Sequence, residues 1–344
     1  MSDWLTKPAA IICHPSRNRA IERQQSLTKP LGSLGRLEHL AVDFAGFQKT
    51  SLPTLNNVAI RVFAGDHGVF DEGVSAFPQS VTGQMIYNFV SGGAAITVLA
   101  RQHSADFSVI NLGTMEPLED FPRLTNIQIA PGTANFCKEP AMTIEQLDTA
   151  LGAGRDSVSE SAIDLFVGGE MGIGNTTAAA AIFCALLNVD VQAMVGRGTG
   201  VDDDGLKRKQ QAVKRGLELH KHAASPKDVL QCFGGFEIAA LVGAYIGNAQ
   251  KGIPSLVDGY ITTAAALAAC RINPSISDWL LFSHCSAETA HKLVMQDMKV
   301  DPLIDLEMRL GEASGAGLVI PLIKSALLLH SEMATFDEAG VSES

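Results

Sequence analysis

Small residues crowd around a few isolated polar ones at several points in the chain. The densest case is Gly168-Gly169-Glu170-Met171-Gly172-Ile173-Gly174-Asn175-Thr176-Thr177. Glycines let backbone amides converge, and Asn175 or Thr176 can cap the helix that follows. Exposed N–H groups at such a helix start suit a phosphate. Gly172, Gly174, Asn175 and Thr176 are therefore candidate phosphate contacts. No Gly-Lys-Ser/Thr follows, so this is not a P-loop, and the third glycine of a dinucleotide fingerprint is missing. A tight packing turn is the competing reading. Glu170 is ill suited to an anion and better suited to a sugar hydroxyl or a basic heterocycle.

A second cluster, Gly196-Arg197-Gly198-Thr199-Gly200, surrounds one cation with glycine and precedes Asp202-Asp203-Asp204. The three acids are either a metal site or the start of a helix over Leu206–Leu219, where acids favour the N-terminus. In Lys207-Arg208-Lys209, most of the charge is expected to face water, with one cation turned toward a phosphate. Gly65-Asp66-His67-Gly68 invites a metal-dependent phosphoesterase reading, but no matching Gly-Asn-His-Asp occurs. Glu312, between Gly311 and a small-residue helix start, is either a desolvated general base or an ordinary helix-start acid, and the residues alone leave these even. Ser283-His284-Cys285-Ser286 lacks the Gly-x-Ser-x-Gly elbow of a nucleophile, so Ser286 reads as a cap.

These polar residues share a position, because most follow a short apolar run. Val58–Ala64 ends in Gly65-Asp66, Leu165–Val167 in Gly168-Gly169-Glu170, Ser255–Val257 in Asp258-Gly259, and Trp279–Phe282 in Ser283-His284. Phe107–Leu112, Ile127–Ala130 and Ala193–Val195 are similar runs. Ala-rich helical stretches follow Gly174 and Tyr260. Buried strand, polar turn and helix in repetition predict an α/β fold with a parallel sheet, ligand at the strand carboxyl ends. Polar helices over 1–50, broken by a loop at Lys29–Glu38, and a long apolar helix from Ala313 to about Glu332 flank this region.

The chain has 344 residues, 46% of them hydrophobic and 18% charged, enough for a large core. A net charge of −11 argues against nucleic acid or an anionic membrane as partner. Six cysteines form no CxxC and no zinc-finger spacing with histidine, so no metal is expected and a reduced, cytoplasmic protein is. The N-terminus lacks a basic, then apolar, leader. Thr176–Leu187 is too short for a membrane span, and Ala316–Leu329 carries Pro321 and Lys324.

Taken in order, the motifs resemble one family, the nicotinate-nucleotide–dimethylbenzimidazole phosphoribosyltransferases. The resemblance runs through Lys29-Pro-Leu-Gly-Ser-Leu-Gly-Arg-Leu-Glu38, Phe63-Ala-Gly-Asp-His-Gly-Val69, Gly73-Val-Ser-Ala-Phe-Pro78, Val81-Thr-Gly-Gln-Met85 and Gly92-Gly-Ala-Ala-Ile96. It continues through Gly169–Thr177, Gly196–Gly200, Gly234-Gly-Phe-Glu-Ile-Ala-Ala240, Val257–Gly259, Ser283–Glu288 and Arg309-Leu-Gly-Glu312. Two departures stand out. Ala313-Ser314-Gly315 stands where the family has Gly-Thr-Gly, and Thr289-Ala290-His291 where it has Pro-Gly-His.

The resemblance implies a Rossmann-like α/β domain over 51–305 and a small helical domain made of 1–50 with 306–344, in a homodimer. It places Glu312 on the catalytic base, and Glu170, Lys209 and Ser286 near the nucleotide or base. Ser75, Gln84 and Met85 fall in the base pocket. Arg197, Gly198, Thr199, Gly200 and Gly315 complete the expected substrate contacts. The implied reaction moves the phosphoribosyl group of nicotinate mononucleotide to 5,6-dimethylbenzimidazole without cofactor or metal. No pyrophosphate departs, so no divalent ion is required. The metal-dependent phosphoesterase is the alternative.

Overall fold

The computed structural model describes residues 3–158, 163–198 and 200–342. Six strands form one sheet: β1 (Val58–Gly65), β2 (Asp106–Gly113), β3 (Leu124–Asn126), β4 (Leu165–Met171), β5 (Ser255–Val257) and β6 (Leu280–Phe282). Their order is β3-β2-β1-β4-β5-β6, and every pairing is parallel. This is the Rossmann order, which reverses between β1 and β4 and opens a crevice there. β1 is buried along its whole length, which explains its unbroken apolar run. At its end the register with β2 slips by one residue, pairing Gly65 with Gly113.

The Ala-rich stretches form the helices Asn175–Leu187 and Tyr260–Ile272, buried along most of their length. Small side chains let them approach the sheet and each other closely. Helix Phe236–Lys251 is buried from Phe236 to Ala249. Its Gly243 lies against the backbone of Leu151 with no room for a Cβ.

Two expected strands are corrected. Ala193–Val195 is no strand: Val191–Met194 is one helical turn, because the Asp190 side chain accepts the Gln192 amide at 2.7 Å and caps it. The third strand is Leu124–Asn126, and the run Ile127–Ala130 lies beyond it, with Gln128 in the left-handed region at a φ of 48°.

At the other end, helices His14–Ser26 and Arg36–Gln48 meet the C-terminal helix Ser314–Glu332. Arg23 donates to the carbonyls of His330 and Ser331 at 2.7 and 2.8 Å, and Leu27 bridges Thr335. Phe44, Phe47, Val319 and Ile323 join the same apolar core as the sheet. Helix Ser314–Glu332 is long and apolar enough to span a membrane, but 56% of that window is buried inside the protein.

Candidate active site

A cavity of about 300 Å³ opens at the carboxyl end of β4, beside the point where strand order reverses. β4 and its turn contribute Glu170, Met171, Gly172 and Ile173, and the next helix contributes Asn175 and Thr176. The ends of β5 and β6 contribute Gly259, Tyr260, His284 and Ser286, and the segment before the last helix contributes Arg309 to Glu312. Phe77, Val81 and Met85 form an apolar side.

Glu312 is only 7% exposed. Gly311, Glu312 and Ala313 all have left-handed backbone, with φ of 82°, 63° and 64°. For the two non-glycine residues this conformation costs about 1–2 kcal/mol each, so packing must hold it. Gly169 of β4 does so: a Cβ there would lie 2.9 Å from the Ala313 Cβ and 3.0 Å from the Glu312 carbonyl carbon. The strained turn turns the chain sharply into helix Ser314–Glu332 and leaves the carboxyl in the cavity wall.

Burial, then the nearby Asp258, raise the Glu312 carboxyl to about 7. Asp258 sits at the N-terminus of helix Ser314–Glu332 and accepts the Ala316 amide at 2.7 Å, with further bonds from the Ala313 and Gly315 amides. Those amides and the helix dipole favour a negative charge there. Burial opposes it and raises the Asp258 carboxyl, while His284, 3.8 Å away, pulls it back down. The Asp258 carboxyl thus lies beside that of Glu312 and adds to the burial that raises Glu312 toward neutrality.

Glu170 is buried, and burial, then the charges of Asp258, Glu237 and Glu312, push its carboxyl well above the usual range. Asn175 donates to one of its oxygens at 2.5 Å and the Glu312 amide to the other at 3.3 Å. Asn175 is therefore spent on Glu170. Nor does Thr176 cap the helix; its hydroxyl accepts from Lys209 Nζ at 2.9 Å. The N-cap is Gly174, φ 102°, with no side-chain capping bond.

Lys209 is 1% exposed. Burial lowers its ammonium to about 8, against the pull of Glu288. Gly198 lies against both groups, 2.8 Å from Thr176 Oγ1 and 2.9 Å from Lys209 Nζ if given a Cβ. A buried cation, a hydroxyl and a glycine turn converge here, as an anion site requires.

The other expected residues divide. Met85, Gly172 and Ser286 line the cavity. Ser286 does not cap the following helix, whose N-cap is Glu288; its hydroxyl accepts the Glu288 amide at 3.3 Å. Ser75 bonds the Phe77 amide outside the cavity lining, and Gln84 is exposed on its helix. Arg197 is turned away, paired with Asp203 at 2.5 Å and bonded to the Val201 carbonyl. Gly200 is exposed, with its amide on the Arg197 carbonyl. Gly315 is buried under His284, with no room for a Cβ. Thr199 lies outside the described residues. Asp202 is the N-cap of helix Asp203–Leu219, accepting the Gly205 amide at 2.7 Å. His67 is bonded to buried Glu237 at 2.7 Å.

Five contributors carry no role in the sequence alone. His291 is buried, and burial lowers it to about 3, so it is neutral. Its Nδ1 accepts the Ser286 amide at 2.8 Å, so Nε2–H donates to Thr263 at 2.9 Å. It holds the Ser286 loop in place. Asp258 and His284 were visible as strand-end residues without a role. Phe77 and Leu310, 48% and 57% exposed, form an apolar rim that no periodicity marks.

A phosphoribosyltransferase family model matches residues 12–341. A relative from Xanthomonas euvesicatoria, named nicotinate-nucleotide–dimethylbenzimidazole phosphoribosyltransferase, is 55% identical, with 99% of each chain covered. A relative of the same name from Pseudomonas aeruginosa is also 55% identical, over 95% of this chain and 94% of its own. The chain belongs to this phosphoribosyltransferase family. The crystal structure of the enzyme of that name from Thermus thermophilus superposes with a TM-score of 0.91 at 40% identity, covering 97% of this chain and all of that one. Family membership makes the chain a transferase of cobalamin biosynthesis and agrees with the α/β fold of parallel strands.

Proposed function

We propose that the protein transfers the phosphoribosyl group of nicotinate mononucleotide to 5,6-dimethylbenzimidazole, with Glu312 as general base. The observation that carries this is a buried carboxyl poised near pH 7 on the wall of a cavity whose lining reaches the Lys209–Thr176–Gly198 cluster. The relatives' names supply the substrates, and the chemistry of the cavity fits them. Several carboxyl groups suit the cationic pyridinium of the donor. Lys209, Thr176 and the Gly198 turn suit its 5′-phosphate. Phe77, Met85 and Leu310 suit a flat apolar acceptor.

One nitrogen lone pair of the benzimidazole attacks C1′ as the bond from C1′ to the pyridinium nitrogen breaks. The departing nicotinate takes that electron pair, and its ring becomes neutral. Glu312 takes the N–H proton that the acceptor would otherwise carry as a cation. The carboxylate also stabilises the oxocarbenium-like ribose in between. With the rings on opposite faces of the ribose, the β donor gives α-ribazole 5′-phosphate by a single inversion. Aligning the three parts supplies much of the rate.

We also place segments 1–50 and 306–344 together as one helical unit that carries Glu312 to the sheet over 51–305. The bonds from Arg23 to His330 and Ser331 support that division. The same reading makes the molecule a cytoplasmic homodimer, and sedimentation equilibrium tests the dimer. The phosphoesterase alternative finds no support, since Asp66 and His67 belong to no metal-ligand group among the described residues.

The deciding experiment measures nicotinate release with and without 5,6-dimethylbenzimidazole. Release that depends on the base is expected. Binding of nicotinate mononucleotide without release would make the protein a non-catalytic binder.

A further inference from the structure

A different set of side chains gathers away from the cavity. His220 closes helix Asp203–Leu219, His222 lies in the turn after it, and Cys232 is on helix Pro226–Phe233. One ligand atom of each lies within 4.8 Å of those of the other two, the one such group among the described residues. None of the three lines the catalytic cavity. His-x-His followed ten residues later by Cys matches no zinc-finger spacing, so only the fold reveals the group.

The histidine geometry is that of a ligand. His220 Nε2 lies 2.9 Å from the Phe136 carbonyl oxygen, so that nitrogen carries the hydrogen and Nδ1 keeps its lone pair. A ring N–H held by a backbone carbonyl is the usual outer contact of a metal-bound imidazole. Cys232 is buried and unpaired with any other cysteine, while His222 is exposed and leaves a path from solvent. Two imidazoles and a thiolate suit a borderline-soft ion, with water in the fourth tetrahedral position.

We propose that His220, His222 and Cys232 bind one zinc-type divalent cation outside the active site. Closing the ligands to bonding distances of about 2.0–2.3 Å draws the turn containing His222 inward. The Cys232 thiol proton leaves to solvent as the metal–sulfur bond forms. The ion would then join the end of the helix that carries Lys209 to the helix that leads into Glu237. Magnesium and calcium, which prefer oxygen ligands, should not bind there.

Metal-free enzyme titrated with Co²⁺ alone tests this. One equivalent per chain should produce a thiolate-to-cobalt charge-transfer band in the near ultraviolet, with tetrahedral ligand-field bands, and Zn²⁺ should displace both. Cys232→Ser should abolish the charge-transfer band. His222→Ala alters an exposed side chain and should weaken binding by roughly tenfold or more, with an unchanged circular dichroism spectrum. If Cys232→Ser does not fold, His222→Ala decides alone. No charge-transfer band in the parent enzyme overturns the proposal, as does unchanged affinity in His222→Ala.

Discussion

In the proposed mechanism Glu312 combines an acid's burial with a base's task, and three measurements follow. Glu312→Gln keeps the shape of the side chain and removes the base. It should fold, bind both substrates and lose kcat by about 10²–10⁴-fold, or roughly 3–5 kcal/mol. The defect should shrink with an N-methylated benzimidazole that has no proton to lose; an equal defect there would mean that Glu312 does not act as a base. The second measurement is pH dependence. With the free carboxyl near 7, kcat/KM should fall as pH drops below that value and level off above it. The third is stability. The folded carboxyl binds its proton more tightly than the unfolded one, so its burial costs nothing at low pH. The cost grows as pH rises from about 4.5 to about 7. Glu312→Gln should therefore melt higher than the parent at pH 8, by on the order of 2–3 kcal/mol, and match it near pH 4. A variant that melts lower at pH 8 would contradict the desolvated-acid account.

Elements act on this chemistry through close contacts. A Cβ at Gly169 has no space against the turn of Glu312 and Ala313. Gly169→Ala should cost about 1–3 kcal/mol and lower kcat more than it raises KM, because it displaces the base; a purely thermal defect would separate the turn from catalysis. Lys209 rides on helix Asp203–Leu219, and Lys209→Ala should raise KM for nicotinate mononucleotide, with little change for the base. Glycine-and-acid strand ends were legible in the chain because buried parallel strands read as apolar runs with an abrupt polar stop. Val191–Met194 was not, since a three-residue apolar run is the same for a strand end and a helical turn, and Asp190 decides it. The cavity contacts made by Phe77, Leu310 and His291 depend on which loops meet across the sheet, and one-dimensional spacing does not carry that information. The reverse holds for Arg197, whose glycine setting read as ligand-facing while Asp203, six residues on, captures the guanidinium.

For the whole molecule, the proposed transfer calls for no metal, so extensive chelation should leave the rate unchanged. Loss restored by Mg²⁺ would overturn the mechanism. The order in which parts of the molecule are made has its own effect. All six strands lie between Val58 and Phe282, so the sheet is available before residues 311–332 leave the ribosome. The proposed base, its strained turn and the amides that hold Asp258 arrive only with that last stretch. A nascent chain halted near residue 305 would hold the strand-end and Lys209 contacts and lack the proton acceptor. With Glu312 as the proposed base, catalysis would be among the last properties the polypeptide acquires, and a ribosome that stalls before Glu312 would leave at most a binder.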